Sequence, residues 1–298
     1  MINKLIKFIS HYINNLKENL FQPDYSYENE FNMMYFIPYS NNFGDELNEY
    51  IIKRIISNTN LKIHFINLAK KNKYNKKIRS FSLIGSIMHL LPDNTDVMGS
   101  GVNPNYPNII KKLNILSLRG NLSKQYLNNH LGYKIDKIIF GDPALLIPRL
   151  FPEWLAPLPA SETGNEIGII PHFNDIPCVE QLMKTNSLMN IDCCYPNQPA
   201  KIVIDFIRSK KIIISSSLHG IILSEMLEKD TKWIMFDGSL KSESEFKYVE
   251  YYNSTNRYDI NYAKTIKEAI SISIPKPEYD DSQLFTFIKN YLFLNTEK

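Results

Sequence analysis

KIIISSSLHGIILSE, running from Lys211 to Glu225, is the stretch that decides the fold. An apolar run with no polar alternation suits a strand buried on both faces of a parallel sheet. Here it passes directly into Ser215, Ser216 and Ser217, residues of the helix-capping type, and a helical pattern opens at Leu218. Strand, short polar turn and helix in that order form the repeating unit of a doubly wound α/β domain. In such sheets ligands sit beyond the carboxyl ends of the strands, where the free N–H groups of helix N-termini favour anions. Ser216, Ser217 and Leu218 are therefore candidate anion-binding residues. His219 falls in the first helical turn, where an imidazole titrating near neutral pH can donate to an anion or transfer a proton. The plainer reading of the same residues is a serine cap followed by a surface histidine.

Outward from this unit, apolar runs of strand length alternate with helical patterns. The expected strands of the first half are Met33 to Pro38, Lys62 to Ile66, Phe81 to Ile84, Thr95 to Met98, Asn114 to Leu118 and Lys137 to Phe140, with helices over Gly44 to Ile56 and Asn121 to Asn129. A passage from Pro143 to Gly164, carrying Pro148, Pro152, Pro157 and Pro159, has no clear period and reads as an interdomain connection. Beyond it lies a second series, with strands Glu166 to Pro171, Lys211 to Ser215 and Lys232 to Phe236. Its helices lie over Leu218 to Leu227 and near Ala200 to Arg208, Thr265 to Ser271 and Asp281 to Leu294. The expectation is an α/β protein of two Rossmann-like domains, residues 1–150 and 151–298, facing each other across a cleft. The 298-residue length is that of two domains.

Composition narrows the classes further. No apolar run approaches the ~18 to 20 residues of a membrane-spanning helix. The first twenty residues lack a continuous apolar core and a small-residue cleavage site, so they do not read as a secretory signal. A cytoplasmic protein is expected, and Cys178, Cys193 and Cys194 are expected as reduced thiols. The net charge of +3 hides an uneven distribution: residues 1–150 hold 19 Lys or Arg against 11 Asp or Glu, and the remainder holds 15 against 20. Ile2, Leu5, Ile6, Ile9, Ile13, Leu16 and Leu20 share helical spacing with Lys4, Lys7 and Lys17 between them. That helix either lies on the inner face of an anionic membrane as a peripheral contact or packs on its own domain. The basic run Lys70, Lys71, Lys73, Lys76, Lys77 and Arg79 either meets an anionic partner or is a solvated loop between two strands. No nucleic-acid-binding motif accompanies it, and no nucleic-acid partner is expected.

Other polar residues fall just after expected strands. In LSLRGNLS, residues 116–123, Arg119 follows a strand and Gly120 permits close approach, so the guanidinium should reach the cleft for a bidentate grip on an anion, unless it forms a structural salt bridge. In YSNNFGDELN, Tyr39 to Asn48, Gly44 marks the turn and Asp45 stands at a helix start. Asp45 either caps that helix or accepts protons from the hydroxyls of a bound sugar. GSGV at 99–102 and GDPALL at 141–146 do not match a dinucleotide fingerprint, so no nicotinamide cofactor is expected. Asp142 at a strand end is as readily structural as catalytic. In IIPHFND, residues 169–175, His172 is a second candidate ligand of the anion. His64 and His89 read as packed or surface histidines, and no residues have metal-site spacing.

Taken in order, NFGDELN, GSGV, SLRGNLS, GDPALL, IIPH, SSSLHGIILSE and FKYVEYY resemble the polysaccharide pyruvyl transferase family over roughly residues 35 to 255. The resemblance implies an architecture like that of two-domain GT-B glycosyltransferases. It also implies a reaction in which phosphoenolpyruvate gives a pyruvate ketal to a sugar of a surface polysaccharide or its lipid-linked precursor, with no cofactor beyond that co-substrate. By resemblance, Arg119, Leu218 and His219 map onto donor-binding positions, with His219 as proton donor. Lys247 of FKYVEYY maps onto a basic position beyond that histidine. Asn42, Gly44, Asp45 and Asn48 fall on the acceptor side. Many relatives carry Arg immediately before the Leu-His pair, whereas this chain has Ser217, a form that looks like the exopolysaccharide branch. Two other readings suit the same cleft: a GT-B glycosyltransferase using a nucleotide sugar, and a non-catalytic glycan-binding assembly protein.

Overall fold

The computed structural model describes residues 29–38, 41–70, 73–106, 112–159, 164–185, 190–238 and 245–293. The basic helix expected over residues 1–20 lies outside them, as do Lys71, Tyr39 and Ser40.

Ten described strands form two all-parallel sheets. The first holds β1 (Glu30–Tyr35), β2 (Lys62–Asn67), β3 (Arg79–Ser82), β4 (Asp96–Met98), β5 (Asn114–Leu118) and β6 (Ile139–Phe140), in the order β2-β1-β3-β4-β5-β6. The second holds β7 (Ile167–Ile170), β8 (Ile191–Cys193), β9 (Ile212–Ser215) and β10 (Asp230–Trp233), in the order β8-β7-β9-β10. The two sheets thus begin alike, with the second strand outside the first and the third on its other side. This places a topological switch point between β1 and β3 and another between β7 and β9, where open α/β sheets hold their ligands. The expected class of two Rossmann-like sheets is what the chain forms.

Helices α1 (Phe43–Ile55), α2 (Asn121–Leu131), α3 (Ile147–Leu150), α4 (Ile176–Lys184), α5 (Ala200–Arg208) and α6 (Leu218–Met226) come after the strands, and α7 (Phe246–Ser254), α8 (Ile266–Ser271) and α9 (Ser282–Phe293) complete the chain. One apolar cluster runs from Phe31, Met33 and Phe81 of the first sheet through Leu47 of α1 and Ile147 of α3 to Val203, Ile213 and Ile222 of the second. The two sheets therefore share a core. Polar ties reinforce it: Phe43 N donates to Pro196 O at 3.0 Å, and Ala200 N, at the start of α5, donates to Glu46 Oε2 of α1 at 2.8 Å.

The Pro-rich passage is no exposed connector at its start. Asp142 Oδ1 accepts from Ala144 N at 3.0 Å and opens a 3₁₀ turn over Pro143–Leu146, in which every residue is buried. Pro143 is tolerated there because the first residues of a helical turn need no N–H. Lys70, Lys73, Lys76 and Lys77 of the basic run are exposed on the link from β2 to β3, and Arg79 Nε at the start of β3 donates to Asp96 Oδ2 at 2.7 Å. Strand β8 and helices α4 and α7 were not expected. Helix α7 carries Tyr248, Tyr251 and Tyr252, poor helix formers whose i, i+3, i+4 spacing packs them together; Tyr248 stacks on Trp233 with ring centroids 5.0 Å apart.

Helix α9 returns to the first sheet. Its Tyr291 ring packs against Phe31 and Phe81, with centroids 5.8 and 6.0 Å away, and its hydroxyl donates to the buried Asp96 Oδ2 at 2.6 Å. Asp96 also accepts from Arg79 and from Asn114 Nδ2 at 2.8 Å. A hydrogen bond to a buried, charged acceptor contributes about 1.5–3 kcal/mol. Tyr291→Phe keeps the ring packing and removes the donor, so urea denaturation should show a loss in that range; an unchanged midpoint would mean that the C-terminal helix is not held through Asp96.

Candidate active site

The cavity at the carboxyl ends of the strands measures about 540 Å³, within the usual range of small-molecule sites. Most strand ends contribute to it or to the groups behind it. After β1 come Asn42 and Asp45, after β3 Gly85 and Ser86, after β5 Arg119, after β7 His172, and after β9 Ser217, Leu218 and His219; Lys247 reaches in from α7. Asp142, after β6, stands behind His219.

Arg119 is fully buried. Its Nε donates to Asp142 Oδ2 at 3.2 Å, and Nη2 donates to Gly85 O and Ser86 Oγ at 3.0 Å each. Nη1 lies 3.7 Å from Glu250 Oε2 and makes no hydrogen bond. The bidentate grip expected of this guanidinium is therefore not available, because two of its three nitrogens are held by protein acceptors. Of the two alternatives raised by the sequence, the structure has the salt bridge, and Arg119 still lines the cavity.

Glu250, unassigned by the sequence although it lies within FKYVEYY, is the second unexpected member. Its Oε1 accepts from Ser123 N at 2.7 Å, capping α2 from 127 positions away. The approach needs glycine twice: a Cβ on Gly120 would stand 2.6 Å from Glu250 Cγ, and one on Gly101 would stand 2.7 Å from both Glu250 Oε2 and Arg119 Nη1. Gly101 of GSGV and Gly120 of RGN thus make room for a carboxylate. Burial raises the Glu250 carboxyl, partly offset by the Arg119 charge and the Ser123 bond. Burial would raise Asp142 too, but His219 and Arg119 hold it below the ordinary carboxylate range.

His219 lies mostly inside, with its Nε2 3.7 Å from Asp142 Oδ2. Its ring sits against Gly44, where an added Cβ would collide with the imidazole. Gly44 therefore acts by leaving space for His219. Asp45 is not the cap of α1: Asn42 is, its Oδ1 accepting from Gly44 N at 3.1 Å. This leaves Asp45 in the first helical turn, facing the cavity, and burial pushes its carboxyl up to about 7; the His219 and Lys247 charges lower it and Asp142 raises it. A carboxyl that titrates near neutrality can serve as a base or an acid there.

Asn48 is fully spent within the protein. Its Oδ1 accepts from Ile84 N at 2.9 Å and its Nδ2 donates to Asp45 O at 2.9 Å, so it fastens α1 to the end of β3 and is not among the cavity's lining residues. Ser216 is likewise internal: its Oγ accepts from His172 N at 2.7 Å and its carbonyl accepts from Tyr248 O–H at 2.6 Å. Ser217 caps α6 without a side-chain bond and lines the cavity. His172 Nδ1 accepts from Asn174 N at 3.3 Å, while Nε2 lies 3.4 Å from Lys247 Nζ. Burial and the neighbouring ammonium lower the His172 imidazole well below its ordinary value, so it stays neutral. His89, read from the sequence as a packed or surface residue, lines the same cavity; His64 pairs with Glu30 Oε2 at 2.7 Å away from it. Among the described residues no three His, Cys, Asp or Glu side chains converge as a metal site would require, and no helix is long and apolar enough to cross a membrane.

The raised Asp45 carboxyl carries a testable stability signature. In the window from its ordinary value of 3.8 up to about 7, the folded chain holds a proton that the unfolded chain has released. Stability attributable to this group therefore declines as pH rises through that window, and the whole penalty is present above it. Asp45→Asn should raise the melting temperature at pH 8, with a gain on the order of 1–3 kcal/mol, and leave it nearly unchanged at pH 4. Thermal denaturation at the two pH values checks this, and an Asn variant less stable at pH 8 would remove the argument for a strained carboxyl.

The comparisons with known proteins bear on this geometry. The sequence profile of the polysaccharide pyruvyl transferase family matches residues 42–231. An uncharacterized protein of Acanthamoeba polyphaga mimivirus is 27% identical over 215 residues, covering 70% of this chain and 69% of its own. Among solved structures, a functionally uncharacterized protein of Klebsiella pneumoniae subsp. pneumoniae shares 14% identity at a TM-score of 0.47, over 78% of this chain and 93% of the other. The wall teichoic acid polymerase TagF shares 10% identity at a TM-score of 0.44, over 100% of this chain and 93% of its own. The matched span opens at Asn42, the cap of α1, and closes within β10, taking in every cavity-lining strand end from α1 to α6. The chain belongs to the polysaccharide pyruvyl transferase family.

Proposed function

We propose that this transferase moves pyruvate from phosphoenolpyruvate onto two hydroxyls of one sugar in a surface polysaccharide or its lipid-linked precursor, closing a ketal and releasing phosphate. The observation that carries the reading is a single cavity in which Lys247 and the N-terminus of α6, with Arg119 in the wall, meet two groups able to move protons, His219 and Asp45. The donor is a trianion with a phosphate and a carboxylate. Lys247 and the first N–H groups of α6 suit these anions, with Arg119, matched by its own carboxylates, in the cavity wall beside them.

The chemistry needs two proton transfers in opposite directions. A proton delivered from His219 to the methylene carbon leaves an electrophilic carbon at the second position, stabilised by its oxygen. A sugar hydroxyl adds there and gives its proton to Asp45. Loss of phosphate, which takes the C–O bonding pair, regenerates the electrophile. The neighbouring hydroxyl then closes the ring, and its proton leaves with the phosphate. Asp142, held ionised, steadies the imidazolium form of His219 before the transfer. The acceptor is placed beside Asp45 and Asn42, in a cytoplasmic setting where phosphoenolpyruvate is supplied.

Incubation of the full chain with phosphoenolpyruvate and a panel of glycan acceptors should release phosphate and add a pyruvate ketal, seen by mass. Turnover of a nucleotide sugar in its place would favour glycosyl transfer, and binding without turnover would favour an assembly role. His219→Ala should lower kcat by about 10²–10⁴-fold, and His64→Ala should leave it unchanged. Gly44→Ala should also lower kcat, by displacing the imidazole. If Asp45 is the base, it must be ionised, so kcat/KM should fall about tenfold per pH unit below about 7. Asp45→Asn should abolish that limb, and an acid limb that survives in the variant would assign the base elsewhere.

A further inference from the structure

Two of the exposed large apolar side chains sit at the same cavity: Tyr106, 54% exposed, and Phe173, 37% exposed. They come from opposite walls, Tyr106 from the loop after β4 and Phe173 from the 3₁₀ turn after β7. Tyr106 is not loosely placed. Its ring lies on the His89 imidazole with centroids 4.2 Å apart and planes within 5° of parallel. Its backbone N–H donates to Asn103 O at 3.0 Å, closing the turn that carries it. His89 in turn is set by the 3₁₀ turn Met88–Leu90, whose Met88 is buried in the second apolar cluster.

A ring covered on one face and still half exposed must present its other face outward. That open face borders a cavity whose wall also carries Arg119, Lys247 and Asp45. The lining is thus divided: Arg119, Lys247 and the start of α6 at one part, Tyr106 on His89 with Phe173 at another. We infer that the open face of Tyr106, braced by His89, is the platform on which a pyranose ring of the acceptor glycan stacks. A pyranose has one face rich in C–H groups, which an electron-rich aromatic face attracts, and an edge of hydroxyls that remains free to turn toward Asp45. A planar, charged or purely aliphatic ligand would leave one of those two features unused. The stack with His89 fixes the platform's tilt before the sugar arrives, so little rotamer freedom is lost on binding. This inference rests on a glycan being the acceptor and does not depend on the identity of the donor.

The test uses the full chain and reads binding without catalysis. Methyl glycosides of glucose, galactose and mannose are the probes, observed by saturation-transfer difference NMR, alongside separate titration with phosphoenolpyruvate. At least one glycoside should show transfer to its ring C–H protons with wild type and with Tyr106→Phe. Tyr106→Ala should weaken that glycoside about three- to tenfold, the range expected for one aromatic stack, and leave phosphoenolpyruvate binding unchanged. Equal sugar binding by the Ala variant, or no binding of any glycoside by wild type, overturns the platform. Tyr106-dependent sugar binding with no binding of phosphoenolpyruvate would instead sink the donor assignment and leave the platform standing.

Discussion

The buried guanidinium of Arg119, held between Asp142 and the approach of Glu250, is the constraint on which the rest of the site depends. A charge with no solvent around it must be matched by acceptors placed in advance. Here they come from three places: Asp142 after β6, Gly85 and Ser86 after β3, and Glu250 from α7 beyond the second sheet. Glu250 does two things with its two oxygens. One caps the N-terminus of α2 through Ser123, where a negative charge also suits the helix dipole, and the other faces Nη1 of Arg119. Removing one partner from such a cluster would strand the others, at a cost of about 3–5 kcal/mol. The cluster ties the helix after β10 to the strands of the first sheet, so the two walls of the cavity cannot shift without breaking it.

This reverses the emphasis that the charge distribution alone suggests. The first half of the chain is basic in sum, yet the one arginine it contributes to the cavity is already matched within the protein. Two carboxyl groups crowd it, one lowered and one raised. The cavity's remaining positive character comes mainly from Lys247, beside a neutral His172, and from the end of α6. The absence of an arginine at Ser217 therefore matters more than the sequence implied. What lines the cavity there is the backbone N–H end of α6 and the Lys247 ammonium, a point charge that tolerates more than one orientation where a guanidinium fork would fix one.

The strand ends were legible in the sequence because buried parallel strands are continuous apolar runs, and the residues after each run must be polar. That rule placed Asp45, Arg119, His172 and Ser217 to His219 near one another without any knowledge of pairing. β5 was placed to the residue, and α6 to within one residue at its end, Met226 against the expected Leu227. Boundaries shifted where no turn residue marked them, as at β1, which begins at Glu30 and ends at Tyr35, three residues short of Pro38. Short β8 was missed because Asp192 at its centre breaks any continuous apolar run. Helix α7 was hidden because its tyrosines and Val249 have poor helix propensity, and tertiary packing on Trp233 overrides it. Spacing could not supply the use made of each side chain. Asn48, Ser216 and Asp45 are all polar residues at strand ends or helix starts, and only their partners separate the fasteners from the residue that faces the cavity. A signal for Glu250 was available: an acidic residue one turn after Lys247, in a run otherwise aromatic, has to find a buried partner somewhere.

Lys247 and Glu250 stand three residues apart on α7, and so share a face of that helix. One lines the cavity; the other enters the Arg119 cluster. A displacement of α7 would therefore move the cavity's ammonium and loosen the clamp on Arg119 together. The helix is seated by Tyr248, stacked on Trp233 and donating to Ser216 O, which sits directly before the cap of α6. The ammonium of α7, the helix end of α6 and the edge of Arg119 are thus one mechanical unit. The family-matched span stops at residue 231, before α7 begins. Here the site's geometry depends on a helix outside that span, joined to it through the Ser216 carbonyl and the Glu250 carboxylate.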